Sequence, residues 1–238
     1  MRPLAGLLLV MLAGGSQARV PLVRVPFVGC PSDGQLGPQA APKSGKAPRL
    51  ARRIAKDLAF YGYGDGPGSL GPRGWHCIGL YGSNGSFLLI TPERHRADEF
   101  FSEKLVAITG PAVQISYSLA GTSGRLDVMP VIARYFPRYK PFLREMKKLN
   151  LDFGPLPKGP YRFDVINKRT QDFVRFTTPP WREGEGTNSR LVPSNLPIDG
   201  IRKIVGSNDE PDLVSAEVRL PPNLTSLTDI ILTQASKR

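Results

Sequence analysis

One short stretch constrains the fold more than any other. Residues 75–83 and 86–91 are two apolar runs separated by Asn84-Gly85. Asn-Gly is the strongest two-residue hairpin signal, because both turn positions call for positive φ and these residues reach it cheaply. Strand alternation puts Trp75, Cys77 and Tyr81 on one face with Leu88 and Ile90. His76, Ile78 and Leu80 then share the other face with Phe87 and Leu89. Both faces are mostly apolar, so the hairpin belongs inside a sheet covered on both sides.

The remaining pattern builds around that hairpin. Leu50, Ile54, Leu58 and Tyr61 recur at helical spacing and predict a helix over 49–61, followed by a flexible aromatic loop over 61–68. Residues 104–109 read as a short strand and 113–119 as a half-buried one. A helix then begins near Arg125, with Leu126, Met129, Ile132, Ala133 and Phe136 on its inner side. A second helix covers 138–149. Residues 161–167 and 172–177 form another hairpin, 181–197 a long loop, and 198–205 and 213–220 two strands. Residues 224–234 read as a closing helix, although their β-branched residues also suit a strand. Hairpins grouped together and helices clustered imply an α+β fold, mainly antiparallel, with a single domain over 49–238.

The start of the chain bears on where this domain works. Met1-Arg2, an apolar run over 3–13 and small residues over 14–18 follow the pattern of a secretory signal peptide, with Ser16 and Ala18 at the cleavage positions. The apolar core is too short to span a bilayer. Periplasmic or secreted localisation follows, with residues 19–48, rich in Pro, Gly, Ser and Ala, as a flexible arm. In an oxidising compartment the chain's two cysteines, Cys30 and Cys77, form a disulfide. The alternative is a zinc set with His76 and His95, but the spacing fits no tight metal motif. No cofactor motif is present. The net charge is +12, or +11 without Arg2. That excess favours an anionic polymer or lipid headgroup as partner, and secretion makes nucleic acid the least expected one.

Several groups carry candidate chemistry. Gly121-Thr122-Ser123-Gly124-Arg125 sits between a strand and a helix, where free N–H groups, two hydroxyls and an arginine suit a bound anion. The plainer reading is a capping loop. His76 suits a general base with Ser83 or Ser86 as nucleophile, although those serines lie at the far end of the hairpin. His95 falls in a charged stretch and reads as solvated. Glu183 and Glu185 are a carboxylate pair suited to acid–base work, or to pairing with Arg182 or Arg190. Arg49, Arg52, Arg53 and Lys56 make one basic face, and Arg138, Lys140, Arg144, Lys147 and Lys148 another. Converging, they would form an anion-binding patch; pointing apart, they are ordinary solvated faces.

The segments Gly74-Trp75-His76-Cys77, Tyr81 to Ser86, Gly121 to Arg125, Glu183-Gly184-Glu185-Gly186-Thr187 and Val218-Arg219-Leu220-Pro221-Pro222 together resemble a group of uncharacterised secreted bacterial proteins. The resemblance runs from about Leu50 onward. It implies a Gram-negative envelope setting and carries over no activity, cofactor or catalytic residue. The expectation is a non-catalytic protein binding an anionic envelope ligand. The alternative is a hydrolase-like enzyme using the Gly121–Arg125 loop or His76.

Overall fold

The computed structural model describes residues 21–101, 106–149 and 154–237. The expected signal peptide, 1–18, lies outside them. In chain order the strands are β1 (Leu22–Arg24), β2 (Phe27–Gly29), β3 (Ser32–Gly34), β4 (Arg49–Ala51), β5 (Leu58–Gly62), β6 (Ser69–Pro72), β7 (His76–Gly82), β8 (Gly85–Thr91), β9 (Ala112–Ser118), β10 (Val165–Arg169), β11 (Phe173–Thr178), β12 (Ile198–Gly206) and β13 (Pro211–Arg219). The helices are α1 (Arg52–Ala55), α2 (Ala97–Phe101), α3 (Arg125–Tyr135), α4 (Lys140–Lys148) and α5 (Thr228–Ala235).

An eight-stranded sheet in the order β10-β11-β12-β13-β9-β8-β7-β3 organises the domain. It is antiparallel except where β3 joins β7 in parallel. The Asn84-Gly85 hairpin forms as expected and sits inside this sheet, and the fold is α+β. Only Gly85 of the turn takes positive φ, at +141°.

The two faces of the sheet are covered differently. On one face Leu88, Ile90, Val113, Ile115, Ile201, Ala216 and Val218 form a continuous core with α5 and with the small β2-β5-β6 sheet. Each such side chain contributes roughly 1.5–3 kcal/mol through the apolar surface it removes from water. The opposite face carries two separate apolar clusters. Val174, Ile204 and Leu213 pack under α3 and α4. Ile78, Leu89 and Ala112 pack under Phe100 of α2 and under Ile108 and Leu191. Between the clusters this face is polar, and α3 runs along its border.

Several sequence expectations need correction. Residues 21–48 are not a flexible arm. β1 pairs with β4, β2 with β5 and β3 with β7, while Val25 and Cys30 are buried. Prolines and glycines here bend short edge strands rather than free the chain. The helix over 49–61 reduces to α1, and β5 replaces its second half. Leu58, Ala59, Phe60 and Tyr61 are consecutive and all buried, a run that suits a strand covered on both faces as well as a helix. The loop after β5 is pinned rather than flexible, since the Tyr63 hydroxyl donates to the Leu80 carbonyl at 2.9 Å. Ile108 makes one isolated bridge to Leu191 instead of a described strand. In α3 the inward residues are Val128, Met129, Val131, Ile132 and Tyr135, and Leu126 points outward.

Candidate functional site

The uncovered strip between the two clusters is the floor of a cleft of about 710 Å³. Strand register sets its composition. Gln114 pairs with Glu217 and Ser116 with Ser215 across β9 and β13, and Arg202 lies opposite Ser215 on β12. These side chains share a face because their positions alternate with Val113, Ile115 and Ala216, which serve the core behind. Leu126, Asp127, Pro130 and Arg134 of α3 form one wall. Phe87, Phe100, Val106 and Arg190 form the other.

Part of the floor is itself a buried ion network. Arg202 Nε donates to Glu185 Oε1 at 2.8 Å, and its Nη2 donates to the Glu185 carbonyl at 2.9 Å. Arg202 Nη1 donates to Glu217 Oε1. Gln114 Nε2 donates to Glu217 Oε2 at 2.9 Å. The two carboxylates hold Arg202 firmly charged, while burial pushes the Glu217 carboxyl up against that attraction. Arg134 Nε stands 3.7 Å from Glu185 Oε2, within ion-pair range but too far for a hydrogen bond. The Arg134 guanidinium also stacks 3.8 Å from the Tyr161 ring centroid.

The wall bearing Arg190 is fastened by a second buried arginine. Arg219 has no carboxylate partner among the described residues. It donates to the carbonyls of Gly110 at 2.8 Å, Val192 at 2.6 Å and Ile108. Those bonds tie both crossing segments to the sheet, and burial lowers the Arg219 pKa to about 10. Ile108 N–H in turn donates to the Arg190 carbonyl at 2.8 Å.

Cleft-facing polar groups are left without protein partners. Gln114 is 4% exposed and its Oε1 accepts no hydrogen bond. Ser215 is 7% exposed, and neither its hydroxyl nor that of Ser116 has a hydrogen-bond partner among the described residues. Arg190 Nη1 is buried and unbonded, and the guanidinium rests 5.6 Å from the Phe100 ring centroid. Desolvation lowers its pKa. At the mouth Asp127 accepts a hydrogen bond from the Ser118 hydroxyl at 3.2 Å, and the surrounding protein raises its carboxyl although the residue reaches solvent.

Compared with protein-family models, curated proteins and solved structures, the chain matches none. The residues themselves are therefore the guide to function.

The sequence candidates fall elsewhere. In the Gly121–Arg125 loop, Thr122 Oγ1 donates to the Leu119 carbonyl at 2.9 Å, and Gly124 N–H donates to Thr122 Oγ1 at 3.2 Å. Arg125 folds back onto the carbonyls of Thr122 and Gly121, at 2.5 and 3.1 Å. The backbone N–H groups of Arg125 and Leu126 are bonded to Thr122 and Ser123. These bonds engage the Thr122 hydroxyl and most of the Arg125 guanidinium as at a helix start, whereas the Ser123 hydroxyl makes no hydrogen bond among the described residues. A Cβ on Gly124 would stand 2.2 Å from the Asn84 carbonyl oxygen, so the hairpin turn requires glycine there.

His76 begins β7, whereas Ser83 and Ser86 flank its far end, roughly 20 Å away at strand rise. It lines a separate hollow of about 600 Å³ with Trp75, Asp33 and His95. His95 is not simply solvated. Its Nδ1 lies 3.1 Å from Glu99 Oε2, and its ring meets Phe100 edge-on. Cys30 and Cys77 form the disulfide, so they are not metal ligands. No cluster of three or more His, Cys, Asp or Glu among the described residues is placed to hold a metal. Glu183 is exposed, and Glu185 is buried on Arg202 rather than on Arg182 or Arg190. The two basic faces do not merge. α1 packs on the side of β5, and α4 lies with α3 on the opposite face of the main sheet.

Sequence reasoning missed Gln114, Arg202, Glu217, Arg134 and Arg190. A signal was present for three of them. Gln114, Arg202 and Glu217 interrupt apolar strands at positions whose neighbours two residues away point to the same face.

Proposed function

We propose that this chain is a secreted or periplasmic binding protein that takes a small anionic, hydroxyl-bearing solute in the central cleft. Arg190 carries the reading. Among the described residues this half-buried guanidinium has no acid partner, which is costly, and a carboxylate or phosphate from the solute would meet it. Gln114, Ser116 and Ser215 would bond to the solute's hydroxyls, and Phe87 and Phe100 offer an apolar wall to its carbon skeleton. A sugar acid fits this combination. The disulfide is compatible with the envelope setting that the resemblance to secreted Gram-negative proteins implies.

Calorimetry with glucuronate, galacturonate, citrate and neutral glucose tests the proposal. Acidic ligands should bind, and Arg190→Ala should weaken them about tenfold or more, as loss of a charge-assisted hydrogen bond does. Absence of binding by every anion, or binding indifferent to both Arg190→Ala and Arg134→Ala, would overturn it. A hydrolytic reading now rests on Asp127, whose raised carboxyl and Ser118 bond suit proton transfer at the cleft mouth. Turnover of a bound glycoside that disappears in Asp127→Asn would favour it.

A further inference from the structure

The turn that carries Glu185 inward also holds a tryptophan outward. Trp181 has φ +59°, the one positive value for a non-glycine among the described residues, and it is 70% exposed. Such a conformation persists for a bulky side chain only where the surroundings fix the backbone. Here they do. Trp181 N–H donates to the Ser194 carbonyl at 2.8 Å, Gly184 N–H to Thr187 Oγ1 at 2.9 Å, and Glu185 N–H to Asp164 Oδ2 at 2.8 Å. Phe163, 46% exposed, lies between two cations: the Arg182 guanidinium is 4.6 Å and that of Arg162 5.5 Å from its ring centroid. Val165, two residues on and also exposed, extends the apolar surface along β10. Glu183 is the adjoining exposed acid, while Asp164 turns inward onto Thr178 and the Glu185 N–H, so the exposed charge of this corner is positive.

We propose that the Trp181–Phe163 patch docks the protein onto an anionic lipid surface. Indole rings settle at headgroup depth, and guanidinium groups beside them meet lipid phosphates. Neutral polysaccharide would engage a tryptophan platform without needing the flanking arginines, and for that reason lipid is the better match.

The test is co-sedimentation of the full chain with phosphatidylglycerol-containing vesicles and with pure phosphatidylcholine vesicles, read together with tryptophan emission. Trp181→Gly suits the positive φ and preserves the fold. The wild type should bind the anionic vesicles with a blue shift, and Trp181→Gly should lose both the shift and most of the binding. Arg162→Gln and Arg182→Gln should each weaken binding about fivefold at low salt. Equal binding by wild type and Trp181→Gly would overturn the proposal. So would Trp181-dependent retention on a neutral polysaccharide without retention on vesicles.

Discussion

Arg202 stands between Glu185 and Glu217 beneath the cleft, and all three are almost fully buried. An ion trio of this kind is expensive to desolvate, and breaking it by removing one member is worse, because a charge then stays buried without its partner. Arg202→Met should therefore lower unfolding free energy by about 3–5 kcal/mol in urea titration; a loss below about 1 kcal/mol would show that the carboxylates simply take up protons. Arg219 acts differently, since its partners are carbonyl oxygens. Arg219→Leu leaves those acceptors unpaired at about 1–3 kcal/mol each, and it loosens the wall that carries Arg190. The variant should lose solute affinity as well as stability, and unaltered affinity would separate the two roles. Asp164 gives a pH signature. Burial raises its carboxyl above the ordinary value of 3.8, against the bonds it accepts from Thr178 and from the Glu185 N–H. The native state thus holds this proton more tightly than the unfolded chain, and stability drains away as pH rises from about 4 toward the raised folded value. Denaturation curves at stepped pH should show a shallower decline in Asp164→Asn; an identical slope would assign the effect to another group.

At the scale of elements, the strands β1 to β4 depend on a covalent tie. The Cys30–Cys77 bridge closes a separation of 47 residues, and its loss by paired alanine substitution should cost about 4 kcal/mol by chain-entropy reasoning. Limited proteolysis should then cut first within residues 21–48, whereas cleavage elsewhere would mean that these strands hold without the bridge. The strands β7, β8 and β9 were legible in the sequence because Asn84-Gly85 and the alternation over 113–119 leave little choice of period. Residues 49–61 were not legible, because four consecutive apolar residues satisfy either period and only pairing with β2 and β6 decides. Residues 21–48 misled for another reason: their composition resembles a linker, and the order comes from long-range pairing. The site was the least legible part. Its cationic wall depends on where α3 and a loop of distant sequence come to rest, and no local spacing encodes that.

Across the whole molecule, the two edges of the main sheet are protected in different ways. β10 forms one edge and carries exposed Lys168 and Arg169, charges that discourage another strand from adding on. β7 at the other side is flanked by the three residues of β3, which lie close to Cys30 in sequence. The disulfide is thus also a latch on a sticky border. In a reducing medium β3 can peel back and offer β7, with Ile78 and Leu80, to a second chain. Solubility in such a medium should fall with protein concentration, a dependence that light scattering with and without reductant would reveal. The bridge thus guards the border of the main sheet as well as the short strands it joins.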